Sequence, residues 1–558
     1  MRRAICLALF LVFSLAALSR AQSPSRTPVT REGVITGRVV GEDGQPIARA
    51  KVEAYSIGVK TSRPQPVVTD VEGNFKLTGL APAPYVLGTS IPGYVVERRS
   101  RERDLYRLGE HVPLNLIRGG VITGRVTDVS GEPMVGMRVF PRRVRDLEGA
   151  PTSFDTAGYR FARVTDDRGI YRFFGLEPGV YVVFIDSNSY QPRSKTDRET
   201  PVFHPSSTRD GAAEITVQAG GEVAGVDIRH RVDRGHTISG KVTGEAMANV
   251  LLIHLADRQV ENTTGVGPSE SFEIFGVPDG DYELIAMRGG REGPAVASLP
   301  RNVSVRGADV SGIELVMTKL GSISGRLTLE PATPSARCAG ATQVSLEESL
   351  VRAAPMPGRL PISAMQLFRT KINLEGVAVE PNGEFKMDAL FAGSYQLRAD
   401  LPGDNWFIRA VTRTEGGVTK SAENGIAINA GENLSGIQLR IAEGAASLGG
   451  RVVPASESDK LPKQLRAHLI PAEAAAAGDV LRYAETVVAG DGAFEFKHFA
   501  PGRYWLLTKL AVEASKDRPI AWDATARVTL RREAENAKNE IELRPCDRVN
   551  DYALRLAR

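Results

Sequence analysis

Apolar and polar residues alternate in two short patterns, each of which recurs five times along the chain. In the first, two apolar residues flank a glycine at intervals of two: Ile35, Gly37, Val39; Ile122, Gly124, Val126; Ile238, Gly240, Val242; Ile323, Gly325, Leu327; and Leu448, Gly450, Val452. A period of two puts all three residues on one face of a strand. The residue after each glycine (Arg38, Arg125, Lys241, Arg326 or Arg451) points the other way, which predicts a half-buried strand with a solvated cationic edge. Glycine at the inward site leaves room for a neighbouring backbone or a large side chain to come close.

In the second pattern an aromatic residue is followed ten positions later by a tyrosine: Phe75 and Tyr85, Tyr171 and Tyr181, Phe272 and Tyr282, Phe385 and Tyr395, Phe494 and Tyr504. Turns rich in Asp, Asn and Gly (Asp70 to Gly73, Asp166 to Gly169, Asn382 and Gly383, Asp491 and Gly492) launch the aromatic strand. A Pro or Gly turn stops it, and the tyrosine opens the next strand, so the reading predicts two antiparallel strands joined by a tight turn. The third copy has Glu270 and Ser271 in place of the glycine turn, and the fourth has Ala392 where others carry proline. Because the ten-residue spacing survives these lapses, one supersecondary unit has been copied and has drifted.

At these residues the chain resembles the carboxypeptidase regulatory-like domain family, a transthyretin-like β-sandwich of roughly seven strands related to the B-type repeats of bacterial collagen adhesins. The resemblance rests on Gly37 with Arg38, Gly124 with Arg125, and the succession of Asp/Gly turn, aromatic strand, Pro-Gly and tyrosine. It covers parts of all five copies and implies an all-β chain, a tandem array of Ig-like or transthyretin-like sandwich modules. It implies nothing specific about activity.

The boundaries expected are a signal segment at 1–21 and modules at 33–105, 112–232, 233–319, 320–443 and 444–558. That gives about 107 residues per module, enough for each to bury its own core. The inward glycines are 87, 116, 85 and 125 residues apart, so the strand framework is kept while surface loops vary. The longest insertions are 141–162, 187–213 and 331–372, and in the last of these Ser345 and Glu348 have the spacing that caps a short helix. Alternating stretches at Val226 to His230, Ile313 to Met317 and Ile437 to Ile441 end a few residues before the next glycine strand. No long flexible linker intervenes, which predicts a stiff or gently bent rod. Independent modules on short hinges are the alternative.

Arg2 and Arg3, the apolar run from Ala4 to Leu18, and the small residues before Gln22 form a secretory signal pattern with cleavage expected after Ala21. No later apolar stretch is long enough to span a bilayer. The expected mature protein is secreted or periplasmic, without an integral membrane segment. Formal charge is +4 for the whole chain and near +1 once Arg2, Arg3 and Arg20 leave. A nucleic-acid binder concentrates positive charge. Here the densest basic cluster, Arg98 to Arg107, is interleaved with Glu97, Glu102, Asp104 and Glu110. No nucleic-acid partner is expected. Of three cysteines, Cys6 leaves with the signal. An oxidising compartment permits Cys338 and Cys546 to pair, the alternative being two separate, partly buried thiols.

No catalytic constellation emerges. A zinc carboxypeptidase needs a His and a Glu three apart plus a distant His, and none of the seven histidines has Glu at that offset. His230 with Asp233 and His254 with Asp257 come nearest and read as surface pairs. Nucleophile-elbow and phosphate-loop motifs are absent. An isopeptide bond of the adhesin type needs a lysine nucleophile, which only Lys241 could supply. No catalytic residue, cofactor or metal is therefore expected. A sugar-binding surface would use exposed aromatic platforms, and the candidates outside the repeat are Tyr190, Phe203, Trp406 and Trp522, whose other role is partial core packing. The expected function is a noncatalytic multi-module scaffold or adhesion protein of the bacterial envelope, contacting an envelope protein or polysaccharide. The alternative is an extracellular carbohydrate-binding array.

Overall fold

The computed structural model describes residues 33–57, 64–97, 105–147, 149, 162–186, 198–244, 248–257, 259–288, 296–332, 337–338, 345–355, 376–401, 403–454, 461–462, 465–510 and 523–556. The chain is all-β and multi-modular. Each glycine strand (Ile35–Val40, Gly120–Thr127, His236–Thr243, Gly321–Glu330 and Ala446–Val453) is central in a sheet. On one side it pairs antiparallel with the aromatic strand: Asn74–Leu77, Ile170–Leu176, Ser271–Val277, Glu384–Leu390 or Ala493–Phe499. On the other it runs parallel to the last strand of its module: His111–Arg118, Ile228–Arg229, Val310–Lys319, Asn433–Glu443 or Arg548–Arg555.

The tyrosine strands are Tyr85–Ser90, Gly179–Ile185, Gly280–Arg288, Gly393–Asp400 and Gly502–Leu510. They pair instead with Lys51–Ser56, Arg138–Arg145, Asn249–His254, Leu350–Pro355 and Leu465–Pro471, in the second sheet of each sandwich. The hairpin expected from the sequence is thus an arch: the Pro-Gly segment carries the chain from one sheet to the other. In the third module Val296–Ser298 pairs with both sheets and makes them continuous. All ten repeat aromatics are buried, and each pair lies in the separate apolar core of its own module.

The first expected boundary moves. His111–Arg118, all but its first residue inside the expected second module at 112–232, pairs in parallel with Ile35–Val40 and buries Val112, Leu114 and Leu116 in the first core. Only Gly119 separates it from the next glycine strand.

Arg107 Nε of the first module donates to the Glu348 carbonyl of the fourth at 3.3 Å, a contact between modules that are not neighbours in sequence. Glu348 belongs to the long insertion after Gly321–Glu330. The expected short helix there is a single 3-10 turn, Leu346–Glu348, and the Ser345 side chain makes no capping bond.

One α-helix, Ala524–Ala537, stands among the described residues of the fifth module. Asp523 caps it by accepting from Ala526 N at 2.8 Å. Leu530 and Ala534, one turn apart, bury against Ile470, Tyr483 and Leu507 on the outer face of the second sheet. The Arg531 guanidinium lies 5.1 Å over the Trp505 ring. The helix thereby covers apolar strand positions that would otherwise face water.

Candidate functional site

The recurring residues build the sandwich hinge. A Cβ on Gly325 would stand 2.5 Å from the Ile437 carbonyl oxygen of the last strand and 2.8 Å from the Phe385 ring, and the overlap at the other four glycines is at least as severe. Both kinds of close approach foreseen for this glycine therefore occur together. The turn acids fasten the next strand: Asp70 accepts from Asn74 N at 2.7 Å and Asp166 from Ile170 N at 2.7 Å. The cations after the glycines do more than face solvent. Arg38 Nε donates to Glu72 O at 2.8 Å, Arg125 Nε to Arg168 O at 2.9 Å, and Arg451 Nη1 to Asp491 O at 3.2 Å, each locking the Asp/Gly turn onto its strand.

Every repeat tyrosine donates its hydroxyl to the carbonyl four residues earlier: Tyr85 to Ala81, Tyr181 to Glu177, Tyr282 to Pro278, Tyr395 to Phe391 and Tyr504 to Ala500, at 2.6–2.9 Å. This bond bends the chain between sheets. Burial pushes the Tyr395 and Tyr504 hydroxyls up to about 12, which keeps them donors.

Reactive side chains gather at the joints between modules. Between the second and third, Arg142 pairs with Glu261 at 2.6 Å and Arg209 with Asp257 at 2.6 Å, all four largely buried. The Arg142 guanidinium also lies 4.7 Å over the Phe184 ring. His254 lies between Asp210, 3.0 Å from Nε2, and Asp257, 3.4 Å from Nδ1. Burial lowers the His254 pKa, but Asp257, Glu261 and Asp210 outweigh it and the imidazole titrates above its usual value. Burial likewise raises Asp257, while His254, Arg209 and Arg142 more than reverse it and hold the carboxyl well below the carboxylate range. The two carboxylates occupy opposite edges of one ring, so the donors diverge instead of converging on an ion. Among the described residues no group of three or more His, Cys, Asp or Glu is placed to hold a metal.

His230 and Asp233 also separate. His230 Nε2 faces Glu199 at 3.1 Å, whereas Asp233 accepts from Gly235 N at 2.9 Å. The second and third modules are clamped by these charges, since removing one member of a buried pair leaves an uncompensated ion.

The other joints are apolar or covalent. Phe391, in the arch of the fourth module, packs on Leu251, Ile253, Ile285, Met287 and Ala297 of the third. His498, near the end of the fifth module's aromatic strand, donates from Nδ1 to the Trp406 carbonyl of the fourth at 2.9 Å. A disulfide joins Cys338 of the fourth module to Cys546 of the fifth, with Cα atoms 5.4 Å apart.

Two of the four proposed sugar platforms are not platforms. Trp406 is 8% exposed and part of the fourth core. Phe203 is 1% exposed and stacks on Phe184 at 4.9 Å. Trp406 packs in the main core of the fourth sandwich, and Phe203 in a separate apolar cluster with Phe140, Val144, Val182 and Phe184 of the second module. Tyr190 and Trp522 lie outside the described residues, as do the signal segment and Arg98 to Arg103. Lys241 is exposed, and its cross-strand neighbours are Ser271 and Glu314, with no asparagine at either position. A surface cleft of about 670 Å³ on the fourth module is lined by Gly325, Arg326, Glu384, Lys386 and Gln438. Its Arg326 and Glu384 pair with each other at 2.8 Å. No helix among the described residues is long and apolar enough to cross a membrane.

Residues 34–104 match the carboxypeptidase regulatory-like domain family. The first module thus resembles a carboxypeptidase regulatory-like domain. The match stops short of His111–Arg118, the strand that completes this domain's first sheet. The four modules that follow carry the same inward glycine, aromatic and tyrosine positions as this regulatory-like domain. Among solved structures the chain is similar to the TIE protein of Bacillus anthracis, at 10% identity, 73% of this chain, 74% of that one and a TM-score of 0.15. It is also similar to the major pilin subunit of Bacillus cereus, at 11% identity, 51% of this chain, 99% of that one and a TM-score of 0.14. A minor pilin of Streptococcus agalactiae follows at 16% identity, 36% and 96% coverage and a TM-score of 0.19. Likenesses this slight carry no argument about function. No curated protein matches the chain.

Proposed function

We propose that this chain is a noncatalytic scaffold of the bacterial envelope, secreted or periplasmic, which presents sandwich loops and sheet edges to protein partners. The observation that carries the reading is where the charged and reactive side chains go. Arg142, Arg209, His254, Asp257 and Glu261 are spent on fastening one module to the next. Strand addition and loop recognition need no cofactor. The bond between Cys338 and Cys546 supports an oxidising compartment, and the amino-terminal signal pattern agrees. The carbohydrate alternative loses Phe203 and Trp406 to the interior and rests on Tyr190 and Trp522.

Affinity capture from the native envelope, run beside polysaccharide binding by the purified chain, tests the proposal. A saturable protein partner without retention on polysaccharide is the expected result. Polysaccharide binding abolished by Trp522→Ala, or peptide turnover by the pure chain, would overturn it.

A further inference from the structure

Cys546 stands at the joint itself. Its backbone N–H donates to the carbonyl of Gly444, in the two-residue connector Gly444–Ala445 between the fourth and fifth modules, at 3.3 Å. The connector is pinned on its other side, where Gly444 N and Ala445 N both donate to Asn405 O at 2.8 and 2.9 Å. Cys546 also has a φ of +68°, a left-handed conformation that disfavours any side chain. Local strain of this kind persists where the surroundings impose it, and here it aims a sulfur at the fourth module's insertion. Its partner Cys338 lies only eight positions beyond the end of that module's first strand, Gly321–Glu330, and Cys546 lies two before the fifth module's last strand, Arg548–Arg555.

The topological consequence is large. The bond spans 208 positions, which hold nearly all of the fourth and fifth modules. A pull on the chain from both sides runs through Gly321–Glu330, crosses the sulfurs and leaves by Arg548–Arg555. The polypeptide between the two cysteines forms a closed loop outside that path. We propose that the Cys338–Cys546 bond is a mechanical bypass, which makes the last two modules one inextensible unit while the first three remain extensible under tension. A dithiol reductant switches the bypass off by exchange: the protein gains two electrons and two protons as two thiols, and the reductant closes to its own disulfide.

The test is single-molecule extension of the full chain from handles at its two ends, with and without dithiothreitol, beside the double variant C338S/C546S. Oxidised protein should reach a final contour shorter than the variant's by the enclosed loop, about 70 nm at ~3.4 Å per residue. Dithiothreitol should restore that length in the wild type and leave the variant unchanged. Equal contours for oxidised wild type and variant would overturn the bypass. So would non-reducing peptide mapping of the native protein that recovers Cys338 and Cys546 unlinked. Circular dichroism of the variant, expected to match the wild type, separates a lost bond from a lost fold.

Discussion

The Phe385 ring occupies the space that a side chain on Gly325 would need, 2.8 Å from where its Cβ would sit. Behind that position the Ile437 carbonyl of the last strand closes the other side. Gly325→Ala forces backbone and ring apart at once, in a core that tolerates little overpacking. The fourth module should lose about 3 kcal/mol of stability. Urea unfolding followed by fluorescence of Trp406, which lies in that core, reads the loss directly.

The tyrosine hydroxyls give a smaller, regular effect. Tyr282→Phe removes the 2.9 Å bond to Pro278 O while keeping the ring, so the third module should weaken by about 1 kcal/mol. The same substitution at Tyr85, Tyr395 or Tyr504 should cost a similar amount in its own module. An unchanged denaturation midpoint in all of them would show that the sheet-to-sheet arch is held by packing alone.

Glu270 takes the turn position that glycine holds in the other copies, and its φ of +57° is left-handed. A side chain there costs roughly 1–2 kcal/mol, partly offset because glycine loses more freedom on folding. Glu270→Gly should therefore stabilise the third module by about 1 kcal/mol. Calorimetry should show a higher midpoint for that module's transition, and a lower one would refute the account.

His468 gives the fifth module a pH dependence. Burial drives its pKa down to about 4 from 6.5, with Glu485 opposing the shift and failing to reverse it. The neutral form is the one that folds, so this contribution is complete above pH 6.5 and is lost progressively as pH falls towards 4. The loss amounts to roughly 3 kcal/mol. Urea midpoints for this module should drop between pH 6.5 and 4 in the wild type, and much less in His468→Leu.

The sequence exposes what depends on local spacing. Inward glycines, paired rings and Asp turns were legible because each meets its neighbours through a period of two. The arch was misread as a hairpin because both use the same turn residues. What separates them is the Tyr282 hydroxyl reaching Pro278, a bond that no alternation pattern encodes. Val112, Leu114 and Leu116 alternate as plainly as Val226 to His230, but their partner strand Ile35–Val40 lies far back in the sequence, where no local spacing points to it. The helix Ala524–Ala537 has a buried stripe of Arg527, Leu530 and Ala534, with a single large apolar residue, too weak a pattern to read from the sequence. Aromatic content could not tell Trp406 in a core from Trp406 on a surface. Least visible were the joints, because Arg142 and Glu261 stand 119 positions apart and become partners only when two finished sandwiches touch.

Because first and last strands lie side by side and point the same way, the chain enters every sandwich at one pole and departs at the opposite one. A following copy can begin there at once, and single residues, Gly119 and Leu320, suffice as spacers at two of the four junctions. Gene duplication can then lengthen or shorten such a protein by whole units without rerouting the polypeptide, so that sister proteins should differ in repeat number while each unit keeps its internal wiring.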